Sequence, residues 1–351
     1  MMLMKIDEVV TAVGNSNIAL IKYWGKRNRK LILPTNSSLS ITLDENVSTR
    51  TSVMFSKKLK EDTFYIDGEL KDMSDSDTQE RFAIIDQLRN MAGVKERILM
   101  VSKNNFPASA GMASSASGSS TLAFAAANAL GLKMDARELS KIARQGSGSS
   151  CRSLMGGFVK WNKGEKTDGS DSYAEQVFDE RHWPEVMDII AIVSRSKKKV
   201  PSRAGMAQTV ENSILYKARM DYVAGAYDRI VDAIRRRDFH TMADITMRDS
   251  DNMHAVMMDT WPPIMYMNDV SKEIAYRIID LNEREGRNIA AYTYDAGPNA
   301  HIITTKDNRD KVLSVLREVM GIEKFVESGI GSGPKIVNGS LIDTEKLTQK
   351  E

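Results

Sequence analysis

The stretch Asn104-Asn-Phe-Pro107-Ala-Ser-Ala-Gly111-Met-Ala-Ser114-Ser115-Ala-Ser117-Gly118-Ser-Ser runs directly into the Ala- and Leu-rich segment Thr121–Leu130. The first part is a proline-started loop of small residues, and the second reads as a helix. Small side chains let backbone N–H groups approach an anion closely, and a helix N-terminus adds a favourable dipole, so together they suit a phosphate cradle. Serine hydroxyls can donate to phosphate or ligate Mg²⁺. No Lys-Ser/Thr pair follows the glycines, so this is not the Walker loop. On composition alone, a small-residue helix packed tightly on a sheet accounts for the stretch equally well.

A second glycine-serine segment, Arg144-Gln-Gly146-Ser147-Gly148-Ser149-Ser150-Cys151-Arg152-Ser153, precedes the strand-like Phe158–Trp161. Its hydroxyls and the Arg152 guanidinium suit a phosphate or carboxylate, since arginine binds such groups bidentately. As a bare pattern it is also a tight turn. Nearer the start, Asn17-Ile-Ala-Leu-Ile-Lys22-Tyr23-Trp24-Gly25-Lys26 sets two lysines four apart with aromatics between them, followed by Leu33-Pro-Thr-Asn36-Ser37-Ser38-Leu39-Ser40. Such lysines can face a compact polyanion or simply solvent. Tyr292-Thr-Tyr-Asp295-Ala-Gly297-Pro298-Asn299 places one carboxylate at a strand end beside a turn, where catalytic groups and ordinary turn formers both occur.

Periodicity supplies the frame. Strands are expected at Val9–Val13, Leu39–Leu43 and Thr63–Ile66, the last ending at the hairpin turn Asp67-Gly68. Further strands fit Ile189–Ser194, Ile289–Tyr294 and Ala300–Thr304. Helices are expected at Gln79–Met91, after the Asp135/Glu138 capping pair, and along Tyr216–Ile234, where apolar residues recur at steps of four and three. Others fit Phe239–Met247, Ser271–Leu281 and Asp310–Met320, the last closed by Gly321. The expected fold class is α+β, divided into 1–185 and 186–337, with 338–351 a loosely held polar tail.

Composition excludes several classes. In 351 residues, 49 Lys and Arg balance 47 Asp and Glu to a net +2, which argues against binding nucleic acid through bulk charge. The basic run Arg195–Arg203 keeps that reading open as an alternative, although it lacks interleaved aromatics. The single Cys151 rules out an intramolecular disulfide and reads as a small buried hydrophobe rather than a nucleophile. His182, His240, His254 and His301 lack metal-ligand spacing. No apolar run is long enough for a membrane helix, and the N-terminus turns charged too early for a signal peptide, so a soluble, cytoplasmic protein is expected.

Taken in order, Asn17–Lys26, Leu33–Ser40, Asn104–Gly118, Gly146–Trp161, Ser202–Met206 and Tyr292–Asn299 resemble the mevalonate diphosphate decarboxylases of the GHMP kinase superfamily. His182-Trp-Pro-Glu185 and Asp259-Thr-Trp-Pro-Pro-Ile264 share the resemblance, which runs from about Val10 to Lys306. It implies an N-terminal domain with a left-handed βαβ crossover, a ferredoxin-like C-terminal domain, an active site in the cleft between them, and a homodimer. The implied reaction uses ATP and Mg²⁺ to phosphorylate the 3-hydroxyl of mevalonate 5-diphosphate. Phosphate and CO₂ are then lost to give isopentenyl diphosphate. Relatives on this scaffold act instead on mevalonate 5-phosphate, or on mevalonate 3,5-bisphosphate without ATP, giving isopentenyl phosphate.

By the same resemblance, Pro107, Ser109, Gly111, Ser114, Ser115 and Ser117 form the ATP-phosphate loop, with Ser115 also the Mg²⁺ ligand. Lys22, Tyr23, Lys26, Ser147, Ser149, Arg152, Ser202 and Arg203 line the substrate pocket. Arg152 matches the arginine that holds the mevalonate carboxylate, Asp295 matches the catalytic aspartate, and Lys22 joins them in the catalytic set. Gly14-Asn15 replaces the family's usual Ala-Pro, Met112 replaces the loop leucine, and Pro201 precedes the substrate serine where a small or hydroxyl residue is common.

Overall fold

Helical and extended segments alternate through the computed structural model, which describes residues 4–106, 114–194 and 199–350. Among these residues the α-helices are α1 (Ser76–Ala92), α2 (Ser114–Ala129), α3 (Ala136–Gly146), α4 (Ser202–Asn212), α5 (Tyr216–Arg236), α6 (Phe239–Met258), α7 (Asp269–Arg284) and α8 (Arg309–Leu316). Local chemistry explains several boundaries. Asp135 accepts from the Glu138 N–H to start α3, and Gly93, at φ 68°, ends α1 in the left-handed conformation. Asp67 and Gly68 both take positive φ, 51° and 86°, and join Thr63–Ile66 to Glu69–Leu70 in the expected hairpin.

The first sheet is ordered Lys335–Ile336, Val10–Asn15, Ser48–Ser56, Arg97–Asn104, Thr63–Ile66, Glu69–Leu70. Thr63–Ile66 and Arg97–Asn104 run parallel and are connected through α1. Val10, Val53, Phe64 and Met100 pack with Ile85 of α1, Leu122 of α2 and Leu139 of α3. A second, antiparallel sheet pairs Ala174–Phe178, Phe158–Trp161, Ser38–Thr42 and Asn17–Ile21 in that order.

The third sheet is antiparallel, in the order Ala290–Tyr294, Ala300–Thr305, Val186–Ile192, Lys324–Gly329. Counted along the chain, its strands lie 2-3-1-4, the ferredoxin-like arrangement, with helices on both faces. Val186, Ile190 and Ile192 join α5 and α6 on one face, whereas Met187, Ile189 and Ala191 join α7 and α8 on the other. This double burial makes Val186–Ile192 a nearly continuous apolar run rather than an alternating one. The cluster on the α5–α6 face also contains Ile18, Leu20, Ile41 and Phe158 of the second sheet. A single apolar core therefore crosses the junction of the two halves.

Three expectations are corrected. Helix α6 continues to Met258 rather than stopping at Met247, because Thr246, Asp249 and Ser250 are buried polar residues that break the apolar period without breaking the helix. Helix α8 ends at Leu316, short of Met320. The polar end of the chain is not loosely held. Lys335–Ile336 pairs with Val10–Asn15, so the C-terminal unit expected over 186–337 gives its last strand to the first sheet. Ile342–Asp343 then pairs with Thr348–Gln349, and Ile342, 1% exposed, packs among Met54, Leu99 and Val101.

Removing a buried aliphatic side chain costs the lost transfer energy plus a cavity. Ile342→Ala should therefore lower unfolding free energy by about 2 kcal/mol, read as a lower urea midpoint with unchanged slope.

Candidate active site

The candidate site is assembled from chain segments that meet where the second sheet touches α5 and α6. Lys22, just past Asn17–Ile21, is 1% exposed, and its Nζ lies 2.7 Å from Asp295 Oδ1. A lysine so buried needs a partner, because taking an ammonium out of water costs several kcal/mol. Asp295 follows the strand Ala290–Tyr294, whose end is held by the Ser250 hydroxyl accepting from the Tyr294 N–H at 3.0 Å.

The backbone of Lys22 is fixed as well. Its N–H donates to Asp249 Oδ2 at 2.7 Å, and its carbonyl accepts from Asn36 Nδ2 at 3.0 Å and Arg219 Nη2 at 3.4 Å. Arg219 and Asp249, both fully buried, form an ion pair at 3.2 Å. Helices α5 and α6 of the C-terminal half thus hold the strand end that carries Lys22. Sequence reading missed Arg219 and Asp249. Arg219 lies beside Tyr216, Met220 and Val223 in the periodic stretch of α5, and an ionisable residue there was the available signal.

Next to this pair stands Arg152, 3% exposed. Its Nη1 donates to Ser38 Oγ at 2.7 Å, while Nε and Nη2 donate to Asn17 Oδ1 at 3.3 and 3.2 Å. Asn17 is oriented in turn by donating to Ser153 Oγ at 2.7 Å and the Ser149 carbonyl at 3.1 Å. Burial lowers the arginine's pKa and the nearby Asp295 opposes that effect, so guanidinium and catalytic-candidate carboxylate share one electrostatic environment. No carboxylate oxygen lies within ion-pair distance of Arg152 among the described residues; its partners are neutral oxygens, leaving the positive charge available to an incoming anion.

The hydroxyls of Ser115, Ser147 and Ser149 form a row, 3.2 Å from Ser115 to Ser147 and 3.3 Å from Ser147 to Ser149. Ser115 is exposed on the first turn of α2, where a helix N-terminus favours an anion. Hard hydroxyl oxygens at that position fit both phosphate and Mg²⁺, which prefers oxygen ligands and keeps several waters. Ser117 departs from expectation: it is fully buried and its hydroxyl lies 2.6 Å from Thr49 Oγ1, so it ties α2 to the sheet instead of facing a ligand. Pro107, Ser109, Gly111 and the Ser114 side chain lie outside the described residues, as do residues 195–198 of the basic run.

Cations gather at the other end. Arg203, on the first turn of α4, forms an ion pair with Glu80 of α1 and donates to the Gly146 carbonyl at 2.9 Å. Ser202 precedes it, and Pro201 occupies the cap position of α4, where its missing N–H costs nothing. Lys26 is pushed down to about 8, first by burial and then by the neighbouring Arg203 and Arg29. Burial raises the Tyr23 phenol well above its usual range, and the ring meets Trp161 edge-on at 4.7 Å. A Cβ on Gly148 would stand 2.7 Å from that ring, so only glycine lets this loop close over Tyr23.

Other residues fall into place without joining the chemistry. Cys151 is fully buried, and burial pushes its thiol up to about 12, which makes it an inert core residue as expected. His254, buried behind Lys22, is held neutral, its pKa lowered to about 4 by burial and by the lysine charge. Gly14 answers one departure, since an added Cβ would stand 2.2 Å from Thr121 Oγ1 of α2. No helix among the described residues is long and apolar enough to cross a membrane.

Comparison with known proteins identifies the family. Residues 14–174 match the diphosphomevalonate decarboxylase-like N-terminal domain, and residues 188–348 match the mevalonate 5-diphosphate decarboxylase C-terminal domain. The chain belongs to the diphosphomevalonate decarboxylase family. A diphosphomevalonate decarboxylase of Debaryomyces hansenii is 43% identical over 376 residues, covering 96% of this chain and 97% of that protein. The mevalonate diphosphate decarboxylase of Trypanosoma brucei superposes with a TM-score of 0.88 at 34% identity, covering 96% of this chain and all of that one (100%). A solved structure of MDDEF in complex with MVAPP, AMPPCP and magnesium superposes with a TM-score of 0.86 at 35% identity, covering 94% of this chain and 99% of that chain.

The charge on Lys26 is present below about pH 8 and lost as pH rises through that value. Affinity for inorganic pyrophosphate should accordingly weaken by a few-fold between about pH 7.5 and about pH 9.5, while Lys26→Met should flatten the profile. Isothermal titration calorimetry across that range checks both.

Proposed function

We propose that this protein catalyses the ATP-dependent decarboxylation of mevalonate 5-diphosphate to isopentenyl diphosphate, releasing CO₂, phosphate and ADP. Family membership supports the reaction class. The observation that carries the mechanism is the ion pair between buried Lys22 and half-buried Asp295, 2.7 Å apart, beside the buried Arg152.

ATP and Mg²⁺ supply the phosphoryl group and the charge neutralisation for its transfer to the 3-hydroxyl. Ser115 and Ser147 would hold the phosphates and the metal at the start of α2, and Lys26 and Arg203 would bind the 5-diphosphate. Two polyanions meet in this reaction, and their repulsion in a partly dry cleft is large without such cations. Asp295 accepts a hydrogen bond from the 3-hydroxyl and orients it. As the 3-oxygen bonds to the γ-phosphorus, the bond from that phosphorus to ADP breaks and the hydroxyl proton passes by way of Asp295 to solvent, leaving the carboxylate ionised. An ordinary aspartate, near pKa ~3.9, is far too weak a base to ionise a tertiary alcohol beforehand, so positioning is its first contribution.

Its second contribution is electrostatic. When the C3–O bond breaks, phosphate leaves with the electron pair and positive charge develops at carbon 3, which the Asp295 carboxylate stabilises. Arg152 holds the substrate carboxylate in line. The bond between that carboxylate and carbon 2 then breaks, CO₂ leaves, and its electron pair forms the C2–C3 double bond. Lys22 keeps the Asp295 carboxylate in place through Oδ1 during both steps. The family resemblance further supports a cytoplasmic homodimer divided near residue 186, which light scattering and limited proteolysis test directly.

Asp295→Asn preserves shape but removes charge, and should lower kcat by about a thousandfold or more; Arg152→Ala should be comparably damaging. The deciding assay is CO₂ release from mevalonate 5-diphosphate or mevalonate 3,5-bisphosphate, each with and without Mg-ATP. Release from the diphosphate only with Mg-ATP is expected. Release from the bisphosphate without nucleotide, and none from the diphosphate, overturns the assignment.

A further inference from the structure

Helix α4 carries Ser202 and Arg203 yet belongs to the C-terminal half, whereas the groups that hold Arg203 belong to the N-terminal half. Glu80 of α1 forms the ion pair, and Gly146, the last residue of α3, offers its carbonyl at 2.9 Å. The other end of α4 is tied in the same direction by the exposed Glu211–Arg29 pair. Between them, Gly205 lies against Trp24, which donates to Thr209 at 3.1 Å. The helix is therefore tied to the N-terminal half near both ends.

Of the groups that tie α4 to the N-terminal half, Glu80 is the carboxylate that reaches Arg203. Its carboxylate is unusual, because Oε2 is buried and makes no hydrogen bond among the described residues. Burying a carboxylate oxygen without a partner costs free energy, and pairing the other oxygen with a long, flexible cation offsets that cost while fixing the cation. A guanidinium has five N–H donors, so a carboxylate, a carbonyl and a phosphate can be served together.

We infer that Glu80 is a positioning residue for substrate recognition: it reaches across the cleft to hold Arg203 where the 5-diphosphate binds. This rests on the proposed function for the identity of the anion, though not for the coupling itself. Side-chain freedom in an unanchored arginine must be given up when the anion binds, which weakens affinity without touching the reacting atoms.

The test is a double-mutant cycle with Glu80→Ala, Arg203→Met and their combination, read by calorimetric binding of inorganic pyrophosphate. Glu80→Ala should weaken pyrophosphate binding about five- to tenfold and raise KM for mevalonate 5-diphosphate by a similar factor, with kcat within about twofold. In the Arg203→Met background the same change should have no further effect. Glu80→Gln retains an acceptor for the guanidinium and should restore affinity to within about twofold. A merely structural role would lower stability in both backgrounds without that rescue, so urea midpoints are measured alongside. If Glu80→Ala does not fold, Glu80→Asp, which withdraws the carboxylate by one methylene, replaces it in the cycle with a smaller expected loss.

Unchanged or tighter pyrophosphate binding in Glu80→Ala would overturn the inference and make Glu80 a competitor for Arg203. Additive effects of the two substitutions, or no pyrophosphate binding by the unmodified protein, would overturn it too. An intact cycle in a protein that releases no CO₂ from mevalonate 5-diphosphate would instead overturn the proposed function and leave the role of Glu80 standing.

Discussion

Charge removed from water has to be answered, and this requirement organises the protein around Lys22. The ammonium is answered by Asp295, the backbone of the same residue by Asp249, and Asp249 by Arg219. A buried ion pair is seldom a net source of stability, but breaking one leaves a charge stranded in a low dielectric. The network is consequently specific rather than merely adhesive. It allows one relation between the strand end at Lys22, the helices α5 and α6, and the turn at Asp295. The apolar core that joins Ile18 and Ile41 to Ile190 and Ile230 supplies the stabilising burial around it.

From that junction the cleft grades outward in charge. Deepest are Lys22 and Arg152, the latter held by hydrogen bonds to side chains that are themselves oriented, as Asn17 is by Ser153, with Asp295 half-buried beside them. Farther out, Lys26 and Arg203 are close enough for repulsion to help lower the lysine's pKa. Mutual repulsion among cations stores a preference for an anion that burial amplifies. Glu80 moderates the same cluster from the opposite side of the cleft. A site built this way is preorganised for negative charge before a substrate arrives, which is where enzymes gain most of their electrostatic advantage.

Elements specified by neighbours were legible in the chain. The hairpin at Asp67-Gly68, the cap of α3 by Asp135, the long apolar period of α5 and the strand Phe158–Trp161 all appear where local chemistry placed them. The strand Ser48–Ser56 was not legible, because its buried serines and threonines look polar. Their hydroxyls are satisfied across strands, Thr11 with Ser52 at 2.8 Å and Thr51 with Ser102 at 2.9 Å. The end of α6 was hidden in the same way by Asp249 and Ser250, and the ordered tail by its polar composition around one decisive isoleucine.

Sequence alone determined the motif segments that carry the candidate residues: the serine row, the paired lysines, Arg152 and Asp295. These follow from backbone preferences and chemistry acting over a few residues. Only tertiary structure decided which of them meet. Lys22 and Asp295 are 273 positions apart, Arg219 lies among apolar neighbours in its helix, and Ser117, although inside the serine motif, is turned to the sheet. Burial sets these outcomes, since it determines which charges must find one another and which hydroxyls remain for a ligand, and burial is a property of the assembled core.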